Sequence, residues 1–328
     1  MKHWSVSRRL RISGLICLHV AVLAAGFLGP YDPTEQNRAL SLQPPMKIHF
    51  ADDRGRLHAR PLVTAADGRR YPLRFFVAGA RYRCLGLTSR THLFGIDPPF
   101  RVFLLGSDEF GRDQLSRALW GGQISLATGW LAALLALGLG LGLGTIAGFF
   151  GGWRDMIVMR GADLFLALPW LYLLLSFREF LPLSLIPWTA ALAIAVVIGI
   201  IAWARPARLV RGVVLSAKER DYVYAARGFG ASSWRLISRH CLPETYGLMA
   251  TQAALLVPQF ILAEVTLSFV GLGVGDPAVS WGNLLSPIRQ LSIIASAWWM
   301  LLPALVVVFA AWCFSLLDNQ GERNGVVR

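Results

Sequence analysis

Apolar stretches separated by short charged segments run along most of this chain. Six of them approach the roughly 20 residues that a helix needs to cross about 30 Å of hydrocarbon. They cover about residues 12–29, 118–153, 163–176, 188–204, 246–270 and 295–317. The second is longer than one span needs, so its first part is expected to lie along the membrane interface. We predict an all-α polytopic membrane protein with about six transmembrane helices.

Basic residues orient these helices, because short cytoplasmic loops carry an excess of lysine and arginine. A cytoplasmic N-terminus puts the strongly basic segment 205–245 inside, whereas the short outer loops keep only Arg178 and Arg289. Both termini are therefore expected to be cytoplasmic. Cleavage of the first segment as a signal peptide near residues 24–26 stays open as an alternative.

The segment between the first and second spans, residues 30–105, is too long for a plain loop. Its stretches KIHFADDRGRLHARPLV and AADGRRYPLRFFVAGARYRCLG alternate around Asp-Arg-Gly, Asp-Gly and Ala-Gly turn signals. Such alternation predicts strands and hairpins. We expect a small β-rich extracytoplasmic insertion, whose basic residues form either a solvated surface or a docking face for an acidic partner.

Composition supports the membrane assignment, with 55% hydrophobic residues and a formal net charge of +13. The basic residues do not form an aromatic-interleaved face, so nucleic-acid binding is not expected. The four cysteines are scattered, and the six histidines lack the spacing of metal ligands. Neither a disulfide framework nor a metal or catalytic site is therefore predicted.

Glycines at four-residue intervals mark the second span. Gly140, Gly144 and Gly148 share one helix face, where small residues let a neighbouring helix approach closely. No Gly-Lys-Ser/Thr sequence follows them, so a phosphate-binding loop is rejected. Because no ATPase motif occurs elsewhere either, any ATP used by this system must be hydrolysed by another chain.

The cytoplasmic segment DYVYAARGFGASSWRLISRHCLPE is charged and amphipathic, although apolar runs flank it. The capping-box pattern from Ser216 to Glu219 predicts a helix that starts near residue 217. An apolar stripe of Tyr222, Ala225, Ala226 and Phe229 follows on that helix. Its face packs either on its own protein or on a cytoplasmic partner.

Glycines and serines predict how this helix ends. Gly228 and Gly230 can end it, one of them in the left-handed conformation. Ser232 or Ser233 can cap a second helix, expected to run until Leu242-Pro243.

Three long motifs resemble one protein family. WARPARLVRGVVLSAKERDYVYAARGFGASSWRLISRHCLP, GSDEFGRDQLSRALWGGQISLATG and LAEVTLSFVGLGVGDPAVSWGNLL are similar to the dipeptide/oligopeptide/nickel branch of binding-protein-dependent ABC importer permeases. The resemblance covers about residues 100–318, and the first span fits it too. It implies a fold like that of type I ABC importers.

In this family, the charged segment is the EAA loop, whose coupling helix sits in a groove of the ATPase subunit. The resemblance assigns that role here to Glu219, Asp221, Tyr222, Tyr224, Ala225, Ala226, Gly228, Gly230, Leu242 and Pro243. Tyr224 stands where the motif has glutamate, which puts the expected ion pair in doubt. Glu219 and Asp221 are hypothesised to substitute for it.

The resemblance implies a permease subunit of an ATP-driven importer in the bacterial inner membrane, with peptides as the expected substrate. Its expected partners are a second permease, two ATP-binding cassette subunits, an extracytoplasmic substrate-binding protein and the lipid bilayer. ATP and Mg²⁺ are expected on the ATPase subunits, with no cofactor bound by this chain. Two alternatives stay open: an importer of nickel or another small solute, and a channel or exporter that needs no binding protein.

Charged residues near the spans complete the prediction. Glu264 lies in an apolar helix, where a carboxylate either lines the pore or gate or pairs with Arg289 or Arg112. Asp108, Arg112 and Asp113 are expected to organise the start of the second span.

These expectations divide the chain into four parts. Residues 1–29 hold the cytoplasmic N-terminus and the first transmembrane helix, and residues 30–105 form the β-rich insertion. Residues 106–318 form the permease core with five further transmembrane helices and the coupling loop 209–245. A cytoplasmic tail of residues 319–328 follows.

Overall fold

A computed structural model describes residues 6–51, 57–64, 68–84, 86–97, 99–179 and 186–314. Most of these residues are helical. The helices are α1 (Val6–Leu23), α2 (Ala25–Leu28), α3 (Gln114–Phe150), α4 (Gly152–Ala167), α5 (Trp170–Glu179), α6 (Pro187–Ala202), α7 (Ala204–Lys218), α8 (Asp221–Gly228), α9 (Ser233–Leu236), α10 (Leu242–Val270), α11 (Trp281–Leu285), α12 (Leu291–Ser296) and α13 (Leu302–Phe314). Short 3₁₀ turns occur at Arg38–Leu40, Ser286–Arg289 and Trp298–Leu301.

Length and apolarity identify the helices that can cross a membrane. Among the described residues, Gln114–Phe150 and the continuous helical stretch Ser233–Val270 qualify outright. Two more stretches qualify only as bent pairs, namely α4 with α5 and α6 with α7. Shorter apolar helices cover Ile12–Leu23 and Trp298–Phe314. The described chain thus contains two to four spans by this criterion, and the expectation of six stays a prediction.

The predicted third span, residues 163–176, is not one continuous helix. α4 ends at Ala167 and α5 begins at Trp170, and their axes differ by 90°. Leu168 has an extended backbone with φ −86° and ψ 139°. The cause is Pro169, because a proline ring pushes the residue before it out of the helical region.

Five strands occupy the long segment between α2 and α3: β1 (Ile48–Ala51), β2 (Leu57–Thr64), β3 (Arg70–Pro72), β4 (Arg74–Cys84) and β5 (Leu87–Gly95). The first three form an antiparallel sheet in the order β1-β2-β3, and β4 and β5 form an antiparallel hairpin. A small apolar core of Val63, Leu73, Phe94 and Val102 holds this region together. Its extracytoplasmic location stays a prediction.

The chain divides into two compact units. One comprises Met1–Ser125 with Val265–Ala310, and the other Leu126–Glu264 with Ala311–Arg328. The second unit contains the whole of the charged segment between α7 and α10. In this unit α4 packs along α7. Helix α4 begins just after the end of α3, and α7 leads into the charged segment.

Candidate functional site

Six of the ten residues assigned to coupling lie in helix α8, which begins later than predicted. Ser216 and Glu219 do not form a capping box, because α7 continues to Lys218 and α8 starts at Asp221. Val210, Val214 and Ala217 of α7 are completely or almost completely buried. Continued burial of this apolar face favours helix through Ser216, which overrides the local capping signal.

The inner face of α8 is held by one buried side chain. Val223 is 0% exposed and belongs to a core cluster with residues of α3, α7 and α9, including Phe149, Val214 and Leu236. Ala226 lies partly buried against the same cluster. The sequence stripe missed Val223, although its position three residues before Ala226 was a usable signal.

The outer face of α8 presents apolar side chains to solvent. Phe229 is 92% exposed and Tyr224 is 54% exposed, and Trp234 just beyond the turn is 74% exposed. Ala225 is also exposed, so nothing bulky shields the centre of this face. Large exposed apolar side chains gathered on a short helix and the turn that follows it are typical of a protein-binding surface.

Tyr222 connects α8 to α10 through its hydroxyl group. Its hydroxyl donates a hydrogen bond of 3.1 Å to the Glu244 carboxylate, which also accepts one of 3.2 Å from Arg220. Burial, followed by the hydrogen bond to Glu244, raises the pKa of Tyr222. These contacts tie the start of α8 to the start of α10.

The exit turn of α8 is closed by glycine. Gly230 has φ +80°, its N–H donates to the Arg227 carbonyl, and the Ala231 N–H donates to the Ala226 carbonyl. This pair of bonds is the Schellman arrangement, in which glycine adopts the left-handed conformation without steric cost. Gly228 is the last residue of α8.

The second predicted helix starts as expected but does not stop. The Ser232 hydroxyl accepts a hydrogen bond from the Arg235 N–H and caps α9. A π-helical turn, Ile237–Cys241, then leads directly into α10, so Leu242-Pro243 is not a break. The wider π turn explains this continuity, because it accommodates a proline that lacks an N–H and would clash in a regular helix.

Acidic side chains surround the start of α8. Glu219 and Asp221 are both exposed. Neither forms an ion pair within the described part of the chain, so both are free to meet a basic partner. The substitution of these acids for the glutamate absent at Tyr224 stays a hypothesis.

Glycines and ion pairs attach this loop to the membrane helices. A Cβ atom at Gly140, Gly144 or Gly148 would lie 2.5, 2.5 or 2.9 Å from atoms of α7. The Lys218 ammonium donates to the Gly148 carbonyl at 3.1 Å and thus joins the ends of α7 and α3. The end of α7, next to the loop that carries α8, is thereby attached to the end of α3.

Two ion pairs join α7 to α4. Arg211 binds the Asp155 carboxylate through two nitrogens, and Arg208 pairs with Asp163. Sequence reasoning did not find these pairs, because the partners are 56 and 45 residues apart and no local pattern links them.

Glu264 is 0% exposed on α10, so it does not face an open pore in this conformation. Arg112, one of its suggested partners, binds Asp108 and Asp276. The other, Arg289, donates from Nε to the Ser286 carbonyl at 3.1 Å. A gate function for Glu264 stays a prediction.

Asp113 caps the start of α3. Its Oδ2 accepts hydrogen bonds of 2.8 and 2.7 Å from the backbone N–H and the hydroxyl of Ser116. Its Oδ1 is buried and has no hydrogen-bond partner among the described residues. Burial raises the pKa of Asp113 to about 6.

This raised pKa predicts a pH-dependent stability. The folded state holds the Asp113 proton more tightly than the unfolded state, so stability falls as pH rises from about 4 to about 6. The loss attributable to this group is on the order of 3 kcal/mol. We expect Asp113→Asn to remove this fall in stability between pH about 4 and about 6, as measured by thermal unfolding of the detergent-solubilised protein. The exposed Asp97→Asn should not, and identical slopes in wild type and Asp113→Asn would contradict the assignment.

Comparison with known proteins identifies the family of this chain. The family model described as "Binding-protein-dependent transport system inner membrane component" matches residues 140–319, which include α8 and its glycine turn. The dipeptide transport system permease protein DppC of Bacillus subtilis is 36% identical over 223 residues, 68% of each chain.

Two oligopeptide transport system permease proteins named OppC are also similar. The one from Haemophilus influenzae is 37% identical over 65% of this chain and 67% of its own. The one from Mycobacterium tuberculosis is 34% identical over 70% of this chain and 77% of its own. This chain therefore belongs to the family of binding-protein-dependent transport system inner membrane components.

Proposed function

We propose that this chain is one of two permease subunits of an ATP-driven peptide importer, and that α8 docks into an ATPase subunit. The relatives that it resembles are named for dipeptide and oligopeptide transport. The observation that carries the docking proposal is the outer face of α8, where Phe229 is 92% exposed while Val223 anchors the helix from within. A helix that is rigidly held on one side and apolar on the other suits a groove in a partner.

The mechanism is alternating access. Closure of two ATPase subunits moves two coupling helices together, and each permease follows because α8 is fixed to α3, α7 and α10. ATP and Mg²⁺ are held by the partner chains, and they bias two arrangements only through contacts that differ between those arrangements. The resulting outward opening receives a peptide from an extracytoplasmic binding protein. In this arrangement both termini of the chain face the cytoplasm.

Phe229→Ser tests the docking face directly. Because Phe229 is almost fully exposed, its removal is expected to change the stability of the isolated subunit by less than about 0.5 kcal/mol. Loss of an aromatic anchor from an interface costs about 2 kcal/mol or more, so ATPase subunits should co-purify at least about tenfold less well. The measurement is mass spectrometry of what co-purifies with the tagged, gently solubilised protein.

The control is Phe50→Ser, which removes a phenylalanine that is 61% exposed on β1. It should leave ATPase co-purification unchanged. Equal recovery of ATPase subunits with wild type and Phe229→Ser would remove α8 as the docking helix. Recovery of a solitary wild-type chain, under conditions that preserve a known importer, would favour a channel.

A further inference from the structure

Three arginines follow one another at three-residue intervals along α7. Arg211 and Arg208 each meet an aspartate of the antiparallel helix α4. Arg205 comes next, beside the cavity that the last turn of α4 also lines, and residues 164–174 contain no acidic side chain. Arg205 is exposed and has no ion-pair partner within the described residues. Within the described residues, Arg205 is therefore the third arginine of the series and lacks the carboxylate that the other two have.

A cavity of about 380 Å³ lies beside Arg205. Its walls come from α4, α5, α6, α7 and α10 and are mostly apolar, with Phe165, Trp170 and Phe260 as the aromatic contributions. Arg205 supplies the only charge and Gln259 the only side-chain amide among the lining residues. An apolar cavity with a few convergent polar groups is the usual form of a small-ligand site.

Two helix bends meet at this cavity. The 90° bend between α4 and α5 and the 46° bend between α6 and α7 both lie in its wall. Within a membrane, interrupted helices are tolerated where they are buried in protein or line a water-filled cavity. The bends therefore agree with a hydrated pathway at this point.

The position of the cavity along α10 distinguishes two possible sources of an anion for Arg205, namely a lipid phosphate and a substrate in transit. Gln259 lies 17 residues after Leu242, or roughly 25 Å along the helix, which is beyond the midpoint of Leu242–Val270. A phospholipid phosphate lies at the end of a membrane-spanning helix, whereas a substrate in transit passes its middle. Arg205 lines the same cavity, so it lies within the membrane-spanning part of the chain, and the cytoplasmic segment that was predicted to start at residue 205 begins after it. A cation at this depth is costly unless it faces a polar pathway.

We propose that this cavity is a subsite for the C-terminal residue of a peptide in transit. The Arg205 guanidinium binds the terminal carboxylate, Gln259 hydrogen-bonds the peptide backbone, and the aromatic walls receive an apolar side chain. The inference rests on the proposed peptide import and adds to it a recognition element within the permease. A guanidinium binds a carboxylate with two parallel hydrogen bonds, which suits recognition of a free C-terminus.

The test uses the complete transporter in nanodiscs, with its partner permease and ATPase subunits. The probes are two tripeptides with C-terminal benzoylphenylalanine, one with a free carboxylate and one with a carboxamide. We expect the free acid to photolabel residues 165–174 and 256–260 about tenfold more than the amide, as the loss of a charge-assisted hydrogen bond predicts. Arg205→Gln should reduce labelling by the acid to the level of the amide, whereas Arg205→Lys should retain most of it.

Arg208→Gln is the matched control, because it removes an exposed arginine one turn away and leaves the cavity lining intact. Equal labelling by both peptides in the wild type would overturn the subsite. So would labelling that disappears when zwitterionic phosphatidylcholine is replaced by anionic phosphatidylglycerol, since an anionic lipid headgroup would then occupy Arg205. Failure of the proposed function has a different signature: the wild-type transporter, with its binding protein, would take up no peptide into proteoliposomes.

Discussion

Replacing Gly230 with proline is expected to abolish transport while leaving membrane insertion intact. Gly230 has φ +80°, whereas the proline ring requires φ near −65°. Proline also removes the N–H that donates to the Arg227 carbonyl at 2.9 Å. The turn must therefore rearrange, and the outer face of α8 loses the orientation that the proposed docking on an ATPase subunit requires.

Uncoupling is measured by peptide uptake and by ATPase activity in proteoliposomes. Uptake should fall to roughly a hundredth or less, as expected when several kcal/mol of interface geometry are lost. ATP hydrolysis by the assembled subunits should no longer respond to loaded binding protein.

Gly228→Ala provides the matched control for Gly230→Pro. A Cβ at Gly228 meets no atom within 4 Å, and this residue lies inside the helix, so alanine should be neutral or slightly stabilising. Peptide uptake by Gly230→Ala should lie between that of the other two variants. Its added Cβ also meets no atom within 4 Å, but its positive φ stays unfavourable for alanine. Normal uptake by a correctly inserted Gly230→Pro protein would refute the role of this turn.

Gly144→Ala is expected to destabilise the protein by about 1–3 kcal/mol. An added Cβ at this position would lie 2.5 Å from the Ala207 carbonyl oxygen and 2.9 Å from Val210 Cβ. A backbone oxygen cannot move aside as the end of a flexible side chain can, so α7 must shift away from α3. Transport should fall as well, because α7 leads directly into the loop that carries α8.

Gly142→Ala, on the same helix, is expected to stabilise the protein. Its added Cβ meets no atom within 4 Å, and alanine favours a helix by up to about 1 kcal/mol over glycine. Thermal unfolding of the detergent-solubilised variants gives the comparison. Equal destabilisation by the two substitutions would mean that helix propensity or lipid contact, and not the approach of α7, controls both positions.

Local chemistry made part of the coupling loop predictable. The helix end at Gly228 and Gly230 and the cap at Ser232 follow from groups only a few residues apart, and the structure has both. The predictions of a helix start near residue 217 and a stop at Leu242-Pro243 were wrong. At the first place the burial of the apolar face of α7 outweighed a local capping signal, and at the second a π turn carried the helix past the proline.

Contacts between distant residues were beyond sequence reasoning. Asp155 with Arg211, Asp163 with Arg208 and Arg220 with Glu244 join residues that share no helix face or turn. Several other arginines in the same charged segment were equally plausible partners on charge alone. Only the packing of α4 against α7 and of α8 beside α10 selects among them.

By itself, the sequence determined the class of the protein, the alternation of apolar helices with charged segments, the family and the position of the charged segment between α7 and α10. These properties depend on composition, periodicity and contiguous motifs. The tertiary structure alone decided that Val223 anchors α8, that the axes of α4 and α5 differ by 90°, and that Arg205 borders a cavity and has no acidic partner among the described residues. Burial, bending and the absence of a partner depend on which helices pack together, and no single segment contains that information.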